Sequence, residues 1–399
     1  MGRAHFPSQF LKEGGAIEKT ADIVIIGGGI IGVSVAYHLA MRGAGRVILL
    51  EKSGLGQGST GKCAGGIRTQ FSTEVNISFS LNSLETWNHF EEIFGTPLDF
   101  KRVGYLFLAT TEDEWRLLKA GSRLQRDHAV PVELLTASEI AERWPYLRTD
   151  DLAGGTFCAW DGYAGPYEAL TGFARAARRA GVTIREGVEV RSILREKGRV
   201  TGVSTPEGDV SCPVVVNAAG PYAEIVGRMA GVEVPVKPYR RQLFFTRPFS
   251  SLPDPLPLVI DFHRGWYFRR EVRGLLLSGP KDPFPSFNTG VDYRARAETA
   301  ENAIFRVPIL GTAEISHGWA GSYDISPDSH AILGEAPELK GFFLANGLSG
   351  HGFQHSPAVG KVLAQSIMGQ RPSPEISALS IERFRKGQLI REPLTAFKA

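Results

Sequence analysis

Cysteine is scarce in this sequence, and its scarcity limits both the compartment and the chemistry that we expect. Cys63, Cys158 and Cys212 are the three cysteines among 399 residues, and they are far apart without metal-ligand spacing. The sequence therefore predicts neither a disulfide framework nor a metal site. We expect a protein of a reducing compartment, and specifically of the cytoplasm.

The sequence also lacks an excess of one charge and any block of like charges. Its formal net charge is +3, and 22% of its residues are charged. Neither a nucleic acid nor an anionic membrane surface is therefore an expected partner. The first 20 residues lack the apolar core of a secretory signal, so we expect a surface arm or a partner contact there.

Long apolar runs are equally rare. The one candidate for a membrane span is 23–41, which is nearly uncharged. Three consecutive glycines after a β-branched run favour a strand, a turn and a helix instead, so no membrane span is predicted. With 43% apolar residues and 399 residues in all, the chain can bury a large core, and two domains are expected.

A dinucleotide-binding pattern follows the N-terminal segment. An apolar strand at 23–26 leads into Gly27-x-Gly29-x-x-Gly32, and a helical pattern begins there. These glycines permit a tight turn, a close approach of a pyrophosphate and close helix packing, while the helix N-terminus attracts phosphate. Glu51 ends the second strand, about 20 residues further on, where a carboxylate accepts a hydrogen bond from a ribose hydroxyl. An acid there disfavours NADP.

The rest of the chain alternates between helical and strand patterns. Between 232 and 325, short β-rich runs separated by Pro and Gly predict an antiparallel sheet. The residues after 370 resemble a polar surface extension. Periodicity predicts helices at 72–95, 112–127, 137–144, 167–180 and 357–368, and strands at 23–26, 46–50, 103–109, 182–185, 188–195, 199–205, 209–212, 214–217 and 341–346.

This order predicts an α/β (α+β) fold with a Rossmann-like nucleotide-binding domain of discontinuous segments and an antiparallel-sheet substrate domain. Phosphate-binding elements at both ends and in the middle explain why the first domain is discontinuous. The predicted boundaries are 20–97, 153–235 and 325–372 for the nucleotide-binding domain, 98–152 and 236–324 for the substrate domain, and 1–19 and 373–399 for terminal extensions.

An ordered set of motifs gives the chain a family resemblance. After Gly27…Glu51 come Gly58-Ser-Thr-Gly61, Gly65-Gly-Ile-Arg68, Asn217-Ala-Ala-Gly220, Gly318-Trp-Ala-Gly-Ser-Tyr-Asp324, Ser326-Pro-Asp328 and Gly347-Leu-Ser-Gly-His-Gly-Phe353. Over roughly 20–370 the chain resembles the D-amino-acid oxidase-like flavoproteins, most of all the sarcosine oxidase β-subunit and glycine oxidase branch. The resemblance implies FAD, with its isoalloxazine ring between the two domains.

The resemblance and the glycine turns together imply a set of cofactor-binding residues. An extended flavin nucleotide needs close backbone contacts along its whole length. The expected set is Gly27, Gly29, Ile30, Ile31, Gly32, Glu51, Lys52, Gly58, Ser59, Thr60, Gly61, Cys63, Ala64, Gly65, Gly66, Val190, Ala218, Ala219, Gly220, Gly321, Gly347, Ser349, Gly350, His351, Gly352, Phe353 and Gln354.

Covalent attachment of the flavin is not expected. Where monomeric relatives carry a flavin-linked cysteine, this chain has Gly321, and where dehydrogenase relatives carry a flavin-linked histidine, it has Cys63. A thioether at Cys63 is the covalent alternative to non-covalent FAD.

The same resemblance implies substrate-facing residues. Arg68 matches the position that binds the substrate carboxylate, for which a guanidinium is suited; the alternative is a surface arginine. Tyr267 is expected to close one side of the pocket, unless it is a core residue of the sheet. His351 is expected near the pyrimidine edge of the flavin, as a positive group or a donor, or as a structural histidine. Gln70 and Phe71 line the pocket, unless Ser72 or Thr73 caps a helix there.

Gln354 departs from the family pattern. Sarcosine oxidases have a lysine there that binds the carboxylate, and their second lysine, which acts in oxygen reduction, has no counterpart in 275–279. Both absences argue against O2 as the acceptor and against sarcosine as the substrate.

The resemblance implies an FAD-dependent oxidoreductase that dehydrogenates a small amino acid or secondary amine, of the sarcosine, glycine or proline kind, by hydride transfer to flavin N5. A 2-hydroxyacid or glycerol-phosphate dehydrogenase, and a weakly active flavoprotein subunit or assembly factor, are the alternatives. The expected partners are an amine or amino-acid substrate and either an electron acceptor or a second subunit.

Overall fold

The computed structural model describes residues 17–393, so the predicted N-terminal arm lies almost entirely outside the described residues. The strands are β1 (Ile23–Ile26), β2 (Val47–Glu51), β3 (Gly66–Ile67), β4 (Tyr105–Ala109), β5 (Glu133–Leu135), β6 (Gly154–Cys158), β7 (Gly162–Tyr163), β8 (Thr183–Glu186), β9 (Ser192–Glu196), β10 (Arg199–Thr205), β11 (Gly208–Ser211), β12 (Val214–Asn217), β13 (Lys237–Thr246), β14 (Leu258–Asp261), β15 (Trp266–Glu271), β16 (Gly274–Lys281), β17 (Ile315–Ile325), β18 (Ile332–Glu335) and β19 (Phe342–Asn346). The helices are α1 (Ile30–Ala40), α2 (Glu74–Asn88), α3 (Phe90–Phe94), α4 (Glu112–Asp127), α5 (Ala137–Arg143), α6 (Pro166–Arg179), α7 (Ala223–Ala230), α8 (Ala295–Arg306), α9 (Gly352–Ile367) and α10 (Glu382–Arg385).

Valine and isoleucine runs build a six-stranded sheet in the order β18-β19-β12-β1-β2-β8. Its strands pair in parallel except for the edge strand β18. The central strands are buried along nearly their whole length, as a parallel sheet covered on both faces requires. Helices α1, α2, α6 and α9 cover one face, and α7 with the meander β9–β11 covers the other. The predicted Rossmann-like domain is confirmed.

The second layer is an eight-stranded sheet in the order β17-β13-β16-β15-β14-β4-β6-β5. Its strands are antiparallel except for the β4–β14 pair. One face carries an apolar core with residues of α5 and α8. The other face presents Leu243, Phe245 and Leu276 toward Ala64 of the first domain. The predicted antiparallel sheet is therefore confirmed.

Helix α9 begins five residues earlier than the prediction of 357–368. Pro357 was expected to start the helix because proline lacks an N–H and is tolerated in a first turn. In the structure it lies inside the helix, where it leaves the Phe353 carbonyl without its normal donor. The Ser356 hydroxyl donates to that carbonyl at 2.9 Å. A side chain thus replaces the lost backbone bond, which periodicity does not reveal.

Two other predictions differ from the structure. The helix predicted at 72–95 is broken at His89, whose φ of −112° and ψ of 23° are not helical. Strand β6 pairs with β4 and β5 in the eight-stranded sheet, although the predicted boundary at 153 assigned it to the nucleotide-binding domain. Among the described residues, no helix has the length and apolarity needed to cross a membrane.

The segment after Gln370 is more buried than its polar composition predicts. Ile376, Leu379 and Ile381 are buried, so the prediction of a surface extension is wrong for 373–393. The guanidinium of Arg383 donates to both carboxylate oxygens of Asp328, at 2.8 and 2.9 Å. Because both side chains are almost fully buried, this ion pair fastens the segment to the first domain.

We expect Arg383→Leu to lower the free energy of unfolding by about 3–5 kcal/mol, because it leaves the Asp328 carboxylate buried without its partner. Burial raises the pKa of Asp328, but the hydrogen bonds and charge of Arg383 outweigh it and hold the pKa below its usual range. The stabilisation is therefore present above the unfolded-state pKa and lost as the pH falls through the folded-state pKa. Urea unfolding at several pH values measures it.

Arg385→Leu is the matched control for that experiment. Arg385 is 47% exposed and pairs with Glu338 at the surface, so its loss should cost less than about 1 kcal/mol. Equal effects of the two substitutions would contradict a stabilising role for the buried pair.

Candidate active site

A cleft of about 400 Å³ lies between the two sheets. One wall is formed by the carboxyl ends of β1, β2 and β12 and by the segment 52–64, and the other by β13, β15 and β17. Ligands of open α/β sheets bind outside the carboxyl ends of the parallel strands. The cleft is therefore where the fold places a nucleotide.

The first glycine turn brings backbone against backbone at one end of the cleft. Gly27 has a φ of +114°, and a Cβ there would lie 2.5 Å from the Ala218 carbonyl oxygen. A Cβ on Gly32 would overlap the carbonyl oxygen of Gly27. Helix α1 has no acidic residue in its first turn, and the Ile30 N–H donates to the Thr60 hydroxyl at 3.0 Å. An anion can approach this helix end without repulsion.

Glu51, the acidic residue of the dinucleotide-binding pattern, is held in place beside the glycine turn. One carboxylate oxygen of Glu51 accepts from the Gly28 N–H at 2.7 Å, and the other from the Ser53 N–H at 2.8 Å. Both bonds orient the carboxylate beside the glycine turn. Lys52 Nζ lies 3.2 Å from the ring centroid of Tyr222, a cation–π contact at the wall of the cleft.

Most of the predicted cofactor-binding residues line the cleft. They are Gly27, Gly29, Ile30, Ile31, Glu51, Lys52, Gly58, Ser59, Thr60, Cys63, Ala64, Val190, Ala218, Ala219, Gly220, Gly321, Gly350, Gly352 and Phe353. The remaining predicted residues lie behind this wall: Gly32, Gly61, Gly65, Gly66, Gly347, Ser349, His351 and Gln354.

The glycines behind the wall have packing roles. A Cβ on Gly61 would lie 2.6 Å from the Gly56 carbonyl oxygen, and Cβ atoms on Gly65 and Gly66 would overlap the Ala164 carbonyl and the Tyr105 hydroxyl. Their small size lets the segment before Arg68 fold closely onto its neighbours. These residues shape the site without facing its cavity.

Arg68 lies behind the wall as well, and it is 6% exposed. Its guanidinium stacks on the Phe71 ring, with 3.8 Å between Cζ and the ring centroid. One terminal nitrogen donates to the Gln70 carbonyl, and the other is 3.5 Å from Nε2 of His351. Burial lowers the pKa of Arg68, yet a guanidinium stays charged at neutral pH. Arg68 is therefore a buried cation and not a surface arginine.

The backbone around Arg68 is fixed by two buried polar side chains. The Gln354 amide oxygen accepts from the Arg68 N–H at 2.8 Å. Asp161 accepts from the Thr69 N–H at 2.7 Å and from the Gln70 amide at 3.0 Å. Burial raises the pKa of Asp161 to about 6, even though these donors oppose the shift. Gln70 thus acts in this network, and no side-chain cap from Thr73 is present at α2.

His351 is the residue before α9, and it is neutral. Burial first, and then the charge of Arg68, lower its pKa far below the usual range. This shift favours a neutral imidazole over the positive group that was one of the roles expected for His351. A neutral imidazole can still donate or accept a hydrogen bond.

Two tyrosines face the cleft from the eight-stranded sheet. On β15, Trp266 is 1% exposed and belongs to the core, whereas Tyr267 lines the cleft. Strand alternation thus directs Tyr267 to the cleft side of the sheet, where it also packs against the apolar residues of that face. Tyr323 on β17 lines the cleft beside it, and the two phenols are close enough to influence each other's pKa. Burial, followed by the other phenol, raises the pKa of Tyr267 well above its usual value, so the group is neutral.

The sites considered for covalent attachment are both at the cleft. Burial raises the pKa of the Cys63 thiol to about 11, so little thiolate forms near neutral pH. Gly321 offers no nucleophile, and a Cβ there would lie 2.9 Å from Lys62 Cβ. Non-covalent binding stays our prediction.

Several cleft residues were missed by the sequence analysis, notably Arg241, Tyr323, Tyr222 and Phe287. Tyr323 lies within the motif 318–324, so its position was available but its direction was not. Arg241 follows another arginine on β13, and nothing in the sequence says which of the two faces the cleft. Phe287 comes from a Pro-rich segment without periodicity.

Comparison with known proteins identifies the class. Residues 22–366 match the family described as FAD dependent oxidoreductase. The crystal structure of L-proline dehydrogenase from P. horikoshii superposes with a TM-score of 0.87 at 33% identity, over 94% of this chain and 100% of that one. Glycine oxidase from Geobacillus kaustophilus gives a TM-score of 0.83 at 26% identity, over 92% and 99%.

This chain belongs to the DAO family of FAD-dependent oxidoreductases. Mitochondrial dimethylglycine dehydrogenase of Rattus norvegicus is 31% identical over 92% of this chain but only 44% of its own length. The chain thus spans about half the length of several curated relatives that it matches. The family confirms two predictions: the protein is an oxidoreductase, and FAD is its cofactor.

The residues of the cleft fit this cofactor. The Gly27 turn leaves room where a side chain would collide, and the N-terminus of α1 suits a pyrophosphate. Glu51 is oriented to accept a ribose hydroxyl. Residues of both sheets line the rest of the cleft, so an extended dinucleotide can lie along it.

We expect Glu51→Gln to raise the dissociation constant for FAD about 10- to 100-fold, since a hydrogen bond to a charged group is lost. Flavin fluorescence on titration into apoprotein measures it. Glu186→Gln is the control, because Glu186 is opposite Glu51 on β8 and also accepts a backbone N–H, from Leu55, but does not line the cleft. An equal change in both variants would argue against a ribose contact at Glu51.

Proposed function

We propose that the protein dehydrogenates a small amino acid or secondary amine by hydride transfer to flavin N5. The observation that carries this proposal is the charge of Arg68. Within residues 17–393, no carboxylate lies within ion-pair distance of its guanidinium, although the buried carboxylates of Glu392 and Asp161 act on it over a longer distance. Its direct partners are the Gln70 carbonyl, the His351 ring and the Phe71 face. A buried cation without an anionic partner is costly unless a ligand supplies the anion. The carboxylate of an amino acid is such an anion.

FAD, when bound, accepts the hydrogen and two electrons that leave the substrate carbon, and water then hydrolyses the imine. The chain's own contribution is to orient the substrate. Arg68 would bind the carboxylate, and the neutral phenols of Tyr267 and Tyr323 would bound the pocket on the other side. The relatives support this assignment, because proline, glycine and dimethylglycine, after which these enzymes are named, all combine a carboxylate with an amine.

Gln354 would act as a positioning residue, because its amide oxygen accepts from the Arg68 N–H and so fixes the backbone of that arginine. Since no lysine takes its place, we infer an electron acceptor other than O2. We retain a second subunit and the cytoplasm as predictions; the free cysteines suit a reducing compartment.

The proposal is tested by adding amines to the FAD-loaded protein without oxygen and recording the flavin absorbance. We expect bleaching by one or more of L-proline, sarcosine, dimethylglycine and glycine. Bleaching by 2-hydroxyacids or glycerol 3-phosphate alone would show the alcohol-oxidising alternative. No bleaching by any of these compounds would support a subunit or assembly role and contradict the proposal.

We expect Arg68→Gln to lower kcat/KM for the amine at least about 30-fold, or about 2 kcal/mol, because the carboxylate loses its charged partner. Arg68→Lys should retain part of the activity, since the charge remains but the fork is lost. Arg116→Gln, which changes an arginine that is 74% exposed, is the control and should leave kcat/KM unchanged. An active Arg68→Gln enzyme would rule out Arg68 as the carboxylate ligand.

A further inference from the structure

The strand β13 carries two consecutive arginines with opposite environments. Arg240 donates to both oxygens of Asp282, at 2.7 and 3.3 Å, and to the Gly290 carbonyl at 2.8 Å. Arg241 points to the other face of the sheet and lines the cleft. Because side chains alternate along a strand, Arg240 binds the segment after β16, and Arg241 points into the cleft.

Arg241 is a second cation of the site without a carboxylate partner. Its guanidinium donates to the Arg240 carbonyl at 2.9 Å, and no carboxylate among residues 17–393 lies within ion-pair distance. Asp282 is the nearest carboxylate that influences it, but Arg240 already binds both oxygens of Asp282. The positive charge of Arg241 is thus not balanced by its surroundings.

A neighbouring cation increases the positive charge at this place. Arg241 is opposite Lys281 in the β13–β16 ladder. Burial and then the charge of Arg241 lower the pKa of Lys281 to about 8. An anion beside Arg241 would relieve this repulsion, as well as the cost of burying the guanidinium.

The phenols of Tyr267 and Tyr323 lie between Arg68 and Arg241 in the network of interactions. The guanidinium carbon of Arg241 is 5.4 Å from the ring centroid of Tyr323. Tyr323 interacts electrostatically with both Tyr267 and Arg68. The site therefore contains two cations, the guanidinium of Arg68 and that of Arg241 on the eight-stranded sheet. The neutral phenols of Tyr267 and Tyr323 are near both.

We propose that the substrate is an amino or imino dicarboxylic acid, whose second carboxylate binds Arg241 while its first binds Arg68. This inference rests on the proposed function and narrows its substrate class. The Gly27 turn and the α1 N-terminus, which suit the pyrophosphate of FAD, lie on the opposite wall of the cleft from Arg241. Arg241 is thus a specificity-determining residue.

The test compares the FAD-loaded wild type with Arg241→Gln. Anaerobic flavin reduction is measured with iminodiacetate, N-methyl-L-aspartate and N-methyl-L-glutamate, and with sarcosine and L-proline as single-carboxylate compounds. We expect at least one dicarboxylate to have a half-saturating concentration about 10-fold or more below those of sarcosine and proline. Arg241→Gln should raise that value about 10- to 100-fold and should raise the values for sarcosine and proline by a smaller factor.

A binding measurement separates this inference from the proposed function. Oxydiacetate has an ether oxygen in place of the amine and cannot form an imine, and methoxyacetate is its single-carboxylate counterpart. We expect oxydiacetate to perturb the flavin spectrum of the wild type and to lose affinity in Arg241→Gln, with methoxyacetate unaffected. Lys237→Gln, an exposed change on the same strand paired with Glu224, is the control and should behave as wild type.

Three results would overturn the dicarboxylate assignment. One is equal affinity of wild type and Arg241→Gln for oxydiacetate. Another is that sarcosine or proline reduces the flavin and no dicarboxylate is preferred over them. That result would leave the proposed function intact. The third is a loss of FAD affinity in Arg241→Gln, which would make Arg241 a cofactor residue. If oxydiacetate binds as expected but no amine bleaches the flavin, the proposed reaction fails and the anion site remains.

Discussion

At the edge of the six-stranded sheet that faces the cleft, backbone segments pack directly against each other because glycines leave no side chains between them. The turn after β1, the start of α1 and the end of β12 approach so closely that a Cβ at Gly27 would meet the Ala218 carbonyl, and one at Gly32 would meet Gly27. This contact fixes the N-terminus of α1 beside the end of β2, where Glu51 is held by two backbone donors. Everything else in the cleft is arranged relative to that edge.

Buried arginines of this protein divide into two groups by their acceptors. Arg383 binds Asp328, and Arg306 binds both Asp261 and Asp151, so these cations stabilise the fold. Arg270 has no carboxylate but donates to three backbone carbonyls. Arg68 and Arg241 each have one carbonyl and aromatic neighbours. Arg68, behind the wall of the cleft, and the partly buried Arg241, which lines it, thus have the fewest acceptors of this set and no carboxylate at ion-pair distance among residues 17–393, which is why we propose ligand anions for both.

The sequence predicted those parts of the molecule that depend on local pattern. Gly27, Glu51 and most of the glycine turns line the cleft as expected, since their roles follow from spacing along one βαβ unit. The failures required tertiary information: the hydroxyl of Ser356 replaces a donor lost at Pro357, and Arg383 finds Asp328 55 residues away. Likewise, the pattern of β13 cannot say whether Arg240 or Arg241 faces the cleft, because that depends on which face packs against the first domain.

Because Arg240 and Arg241 point to opposite faces of β13, this strand contacts both the proposed substrate site and the segment that forms an aromatic wall of the cleft. Arg240 binds Asp282 and the Gly290 carbonyl, and so fastens both ends of the segment that carries Phe287. Phe287 stacks on Tyr222 with 4.9 Å between ring centroids, and both rings line the cleft. Because Arg241 is the next residue, a displacement of this strand would move the anion-binding guanidinium and the aromatic wall together. The proposed specificity of the site and the aromatic wall of the cleft therefore depend on one strand.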